Sequence, residues 1–347
     1  MRFKYMPLWL LVLGTFLFSP LQASGTSTYL KPEHVHDVMK EILELHVSEN
    51  SISKKIMQRA LRVYIEQFDI NRIYLLNNEV SEYWDASDSL LEKSIKDYKN
   101  QNFFVFEQLD TLFKESILRN RLMRPEAYQD ALSEFSQKTK QDIIDRGFDR
   151  SYFSSSQEQL KARTAEDLIA FIFYQESLID EPSGEKRKKI ASLFEKHLFQ
   201  LENNYLFVNE QGQQLSDQQQ QHIALVRIAK SLAKSLDSHT AFYSPEEAYD
   251  LRVRLEKGFF GLGIILQESI DGIEITKIIE KSPADISGKL AIGDHLVSVD
   301  GQLVEKLSFR SVLDLIRGVE GSSIVLEVQH SEEKEFSKVH LKRGKVV

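Results

Sequence analysis

Apolar residues recur at helical spacing along most of the first 250 positions. Val35, Val38, Met39 and Ile42 follow the i, i+3, i+4, i+7 pattern of a helix with one buried face. Leu109, Leu112, Phe113 and Ile117 repeat it, as do Ile190, Leu193, Phe194, Leu198 and Leu201, and then Leu225, Ile228, Ala229, Leu232 and Leu236. Between Thr26 and Glu181 there are two prolines, Pro32 and Pro125, and one glycine, Gly147. Strands joined by tight turns need more turn residues than that. The pattern predicts one all-helical domain over residues 29–250. Asp180 to Gly184 reads as a turn within it. The glutamine-rich stretch Asn209 to His222 reads as an exposed polar connection running into the next helix. Ser244-Pro245-Glu246-Glu247 has the capping serine, early proline and reciprocal glutamate of a helix start.

The pattern changes after Lys257, where ten of the fifteen glycines lie. Short β-type runs separate them: Gly263 to Leu266, Ile273 to Ile278, His295 to Val299 and Ile324 to Val328. Asp300-Gly301 is a hairpin turn signal. Ser282 to Asp285 starts a short helix that stops at Gly288, and Phe309 to Arg317 is a second helix ended by Gly318. The fold class is therefore α+β multidomain, an all-helical domain followed by a small sheet domain with two helices.

Met6 to Phe18 is almost wholly apolar, follows Arg2 and Lys4, and precedes a Ser19-Pro20 break and the small residue Ala23. That is the layout of a cleavable export signal over residues 1–23 and is too short for a comfortable membrane span. No further membrane span is expected. Losing Arg2 and Lys4 takes the formal charge from −8 to −10. An acidic chain without a long basic cluster disfavours nucleic-acid partners. There is no cysteine, hence no disulfide and no lipidation site at the cleavage point.

Lys257-Gly-Phe-Phe-Gly261-Leu262-Gly263-Ile264-Ile-Leu266 carries the most specific chemistry. Its glycines let successive backbone N–H groups turn toward one point, a nest suited to an anion such as a peptide's terminal carboxylate. The strand that follows offers an edge on which an incoming peptide can pair. Together with Ser282 to Asp285, Gly293 to Leu296, Val299 to Gln302 and the helix Ser308 to Gly318, this segment resembles a PDZ domain, over residues 251–343. The resemblance implies that Gly261, Leu262, Gly263 and Ile264, with Lys257 nearby, bind the carboxylate. It implies that Leu262, Ile264, Leu266, Phe309, Leu313 and Ile316 form the peptide pocket. Phe309 stands where many such domains have histidine, which implies an apolar preference two residues before the peptide's end. Gly263→Val is expected to block the carboxylate by adding a side chain.

Leu236-Asp237-Ser238-His239-Thr240 and Phe68-Asp69-Ile70-Asn71-Arg72-Ile73-Tyr74 extend the resemblance upstream, to the tail-specific, C-terminal processing serine proteases of the S41 type. Ser238 replaces that family's usual proline. The resemblance implies recognition of the apolar C-terminal tails of exported, periplasmic proteins, a catalytic domain with a serine and a lysine, and no cofactor. Residues 344–347 stand where the linker to that domain should begin, so this chain by itself is expected to bind and not to cut. The catalytic domain would then be its partner. Ser51/Lys54, Ser183/Lys186, Ser231/Lys234 and Ser331/Lys334 have Ser-x-x-Lys spacing but read as coincidences, and His34-Val-His36 as a helix start and not a metal site. The alternative is a stand-alone exported PDZ adaptor, which the coding sequence beyond residue 347 would separate from a protease. Phe103, Phe104, Phe106 and Phe113 leave homo-oligomerisation open, although such aromatics are more often core.

Overall fold

A computed structural model describes residues 29–135, 149–178, 182–245, 247–248, 251, 259–330 and 336–346. The export signal, Lys257 and the Ser331/Lys334 pair lie outside the described residues.

The N-terminal part is built from helices α1 (Pro32–Leu45), α2 (Lys54–Phe68), α3 (Asn77–Trp84), α4 (Asp88–Lys99), α5 (Phe104–Phe135), α6 (Gln157–Glu176), α7 (Gly184–Leu206) and α8 (Asp217–Leu236). Ser53, Ser87, Ser156, Ser183 and Ser216 begin five of them, each side chain accepting the N–H three residues on. Ser183 caps α7, and Lys54 is drawn to Asp88 and Glu92. The hydroxyl of Ser231 is buried and donates to the Ile228 carbonyl. His34 reaches back to the Lys31 N–H at the start of α1.

The predicted apolar faces meet in one core. Phe68 stacks on Phe113 with ring centroids 4.2 Å apart, and Tyr64 and Tyr205 close around them. Of the four aromatics that left self-association open, Phe103, Phe106 and Phe113 are buried here, and exposed Phe104 lies under the Lys93 ammonium. Pro125 sits inside α5. Beside it, buried Arg124 pairs with both oxygens of buried Glu202; Oε1 also accepts from the Tyr74 hydroxyl and Oε2 from Arg121. A charge with several donors is what permits a carboxylate with no exposed surface. The polar connection before α8 is shorter than its composition predicts. Ser216 and Gln219 form a capping box, so Asp217 to His222 are already helical.

The C-terminal part contains β1 (Phe259–Gly261), β2 (Ile264–Ser269), β3 (Gly272–Ile278), α9 (Pro283–Ser287), β4 (His295–Val299), β5 (Gln302–Leu303), α10 (Phe309–Ile316), β6 (Ser323–Gln329), β7 (Phe336–Lys342) and β8 (Gly344–Val346). The main sheet runs β2-β3-β4-β6-β7, with β5 hairpinned onto β4 through Asp300-Gly301. Both turn residues have positive φ, 49° and 81°, the geometry that matches strand twist. Alternation decides the inner face: Ile324, Leu326 and Val328 of β6, and Val339 and Leu341 of β7, face the core. Strands β1, β5, β7 and β8 were not among the predicted runs. Residues 344–346, read from sequence as the start of a linker, form β8 and pair with β1.

Gly318 does not end α10 by adopting a left-handed turn. The C-cap is Arg317 in an extended conformation. Gly318 is instead a close approach: a Cβ there would fall 2.8 Å from the Arg343 side chain.

Candidate functional site

Among the described residues β2 is an edge strand, paired to β3 alone. Ile264 stands opposite Ile278, and the Ile279 N–H donates to the Gly263 carbonyl at 2.8 Å. Ile264 and Ile278 are therefore a non-hydrogen-bonded pair, and the N–H and C=O of Ile264 face the open edge. The loop before it is oriented by its carbonyls. The Leu262 carbonyl accepts from the Ala284 N–H at the start of α9, at 2.9 Å. In a trans peptide unit the N–H points opposite the C=O. Pinning the carbonyls of Leu262 and Gly263 inward thus turns the N–H groups of Gly263 and Ile264 outward. Those are two successive donors on one side of a loop.

Gly263 has φ +76°, a conformation that favours glycine. Gly261, Leu262 and Gly263 are all buried. Leu262 is 0% exposed and belongs to the core with Val312 and Ile316. Ile264, Leu266 and Phe309 are partly exposed and packed against that core, and Leu313 is half-buried. Of the six residues expected to form the pocket, then, Ile264, Leu266, Phe309 and Leu313 offer the reachable apolar surface. Leu262 and most of Ile316 lie behind it. A β-bulge between Ile265 and Leu266 interrupts the register to β3, where Thr276 donates to the Ile265 carbonyl.

Sequence reasoning missed Arg343. Its guanidinium is buried and donates to the carbonyls of Ile316, Leu315 and Ser323 and to the Ser322 hydroxyl. The first two are terminal carbonyls of α10 that have no partner inside the helix. Arg343 thus satisfies the end of the helix that borders the site and ties it to β6. Its signal was an arginine closing the alternating run Phe336 to Lys342.

The two upstream motifs are structural hubs. Asp69 is buried and accepts the N–H groups of Ile73, Tyr74 and Leu75, so it winds the loop after α2 around itself. Burial raises its carboxyl against those bonds. Arg72 lies over the Trp84 and Phe153 rings, at 4.9 and 4.1 Å. Asp237 accepts from the His239 and Thr240 N–H groups and meets His46 at 3.1 Å. These bonds, the His239 N–H foremost, hold its carboxyl down at about 2.

A helical domain followed by a small sheet domain with a glycine loop and a free strand edge defines a two-part chain of the PDZ-bearing kind. The model of the tail-specific protease N-terminal domain matches residues 38–246, and the PDZ domain model matches residues 252–329. The first match covers more than half of the chain, which therefore belongs to the tail-specific protease family. It is 27% identical over 121 residues to the tail-specific protease of Haemophilus influenzae, covering 33% of this chain and 17% of that protein. It is 32% identical over 94 residues to the carboxy-terminal-processing protease of Bartonella bacilliformis, covering 27% of this chain and 21% of that protein. The chain spans about a fifth of the length of these relatives. Among solved structures, the PDZ domain of the Vibrio cholerae carboxy-terminal protease in complex with peptide is 27% identical. That match covers 26% of this chain and 98% of the other at a TM-score of 0.25.

Proposed function

We propose that this chain is the substrate-recognition and regulatory part of an exported tail-specific serine endopeptidase. The groove between β2 and α10 takes the apolar C-terminal tail of a protein, and cleavage falls to a serine–lysine catalytic domain of the full protease. The observation that carries this reading is the orientation of the loop. The N–H groups of Gly263 and Ile264 point outward beside a strand edge whose next open groups belong to Ile264 itself. A terminal carboxylate fits the donors, and the tail's main chain extends the sheet along β2. Gly261 and Leu262 shape the loop, and Lys257 stands close to it in sequence. Side-chain choice falls to Ile264, Leu266, Phe309, Leu313 and Ile316, all apolar, with Leu262 behind them.

We read residues 29–250 as the helical domain and residues 251–343, closed by β8, as the peptide-binding domain. Residues 1–23 act as an export signal in this reading, placing the protein in the periplasm. No helix among the described residues is long and apolar enough to cross a membrane.

Fluorescence anisotropy with a short labelled peptide ending in apolar residues tests the proposal. The peptide with a free carboxylate is expected to bind, and the same peptide amidated is expected to lose at least tenfold in affinity, about 1.4 kcal/mol. Equal binding of the two forms would remove the carboxylate reading.

A further inference from the structure

The helical domain meets the groove at one end, and on both of its walls. On the strand side, the Glu268 carboxylate accepts from Lys196 Nζ at 2.9 Å and lies 2.8 Å from His197 Nε2. Its side chain is 9% exposed. Burial alone would raise the Glu268 carboxyl, but the His197 hydrogen bond and the neighbouring His197 and Lys196 side chains leave it below the usual range. Ile270, at the tip of the β2–β3 hairpin, packs against the core of the helical domain. On the helix side, the Ser311 hydroxyl in the first turn of α10 donates to Glu210 Oε1 at 2.7 Å. A carboxylate there also suits the positive end of the α10 dipole.

Lys196, His197 and Glu210 belong to one continuous piece of chain. It runs through the last turns of α7, rising about 1.5 Å per residue, and then through a left-handed Phe207 into the turn at Asn209. It begins at the partners of β2 and ends at the partner of α10.

Strand geometry says which end of the groove this is. A tail with its carboxylate at Gly263 runs antiparallel to β2. Side chains alternate along a strand, so Ile264, Leu266 and Glu268 share one face and one edge. A paired tail therefore lies beside Leu266 about two residues, and beside Glu268 about four residues, before its terminus. Past Glu268 the strand runs on only to Ser269, and Ile270 packs against the helical domain.

We propose that residues 196–210 form a second subsite, which binds the part of a C-terminal tail lying five or more residues upstream of its carboxylate. The partner is an extended peptide longer than the groove, read by its end in the sheet domain and by its upstream stretch on α7 and the turn after it. This rests on the groove taking C-terminal tails.

Two acetylated peptides with the same four apolar C-terminal residues and free carboxylates test it on the whole chain. One has four residues. The other has eight and carries a benzophenone side chain six residues from its end. The longer peptide is expected to bind about 5- to 20-fold more tightly, on the order of 1–2 kcal/mol. Its light-induced cross-links are expected to map to residues 196–210 and to vanish with excess unlabelled short peptide. In Lys196→Ala and Glu210→Ala the gain from length is expected to fall below about twofold, with four-residue binding unchanged. Glu210 is exposed, so its variant is not a folding probe. Equal affinities for the two peptides, or cross-links confined to residues 259–346, would overturn the subsite and leave the groove intact. Failure of the four-residue peptide to bind would instead bring down the groove reading and this subsite with it.

Discussion

Gly263 lies hard against Ser282: a Cβ built on the glycine would fall 2.1 Å from Ser282 Cβ and 2.4 Å from its hydroxyl. Ser282 is itself buried and caps α9. The loop and the short helix therefore lock each other. The glycine is required by its neighbour and by its φ of +76°, before any ligand is considered.

The sequence reading expected a Gly263 side chain to obstruct an incoming carboxylate. The structure puts the obstruction inside the domain. Gly263→Ala alone is expected to destabilise the sheet domain by about 2–4 kcal/mol, through overpacking and backbone strain together. Thermal or urea unfolding of the variant checks this. Loss of peptide affinity without loss of stability would contradict the packing argument.

Arg343→Met keeps much of the apolar stem and removes four donor contacts. Buried carbonyls left without partners cost about 1–3 kcal/mol each when stranded. The expected result is a loss of about 2–3 kcal/mol in stability, with a several-fold loss of affinity for apolar tails because the end of α10 is released. Lys at the same position is expected to recover little, since one ammonium cannot reach Leu315, Ile316 and Ser323 together.

Phe309 presents no hydrogen-bond acceptor to the groove. Phe309→His is expected to shift preference toward Ser or Thr two residues before the tail's end, by about 1 kcal/mol or roughly fivefold. Paired peptides differing only at that residue, titrated against both proteins, supply the measurement. An unchanged ranking would detach Phe309 from the pocket.

Asp167 gives a pH prediction in the helical domain. It is buried and bonded to Arg150, and burial pushes its carboxyl up from 3.8 to about 7 despite the arginine. A carboxyl with a raised folded value holds its proton longer in the folded state, so stability falls as pH rises from about 4 to about 7. Asp167→Asn lacks that decline. The variant's stability relative to the native chain is expected to improve by on the order of 2 kcal/mol between pH 4 and pH 8. Parallel unfolding curves at the two pH values would refute it.

The glycine loop and the helical faces could be read from the chain because each depends on local geometry. Apolar spacing in α5, α7 and α8 fixes which side is buried whatever it packs against. A glycine loop before a β-type run fixes the site's position. Strand β7 escaped because Phe336-Ser-Lys-Val-His-Leu-Lys342 exposes one face, and only two inward positions, Val339 and Leu341, carry its signal. Which of the expected pocket residues are exposed was not legible, since burial of Leu262 depends on the core it joins with α10 and β6.

The sequence by itself determined two domains, their order, the strand edge and the loop, through short-range rules of periodicity, capping and turn chemistry. Tertiary structure alone decided that Arg343 finishes α10, that Ser282 dictates the glycine at 263, and that Glu268 and Ser311 meet the helical domain. Each of these joins residues about twenty or more positions apart. Such a contact has no local pattern to betray it, because its partners are chosen by where the packed elements happen to converge.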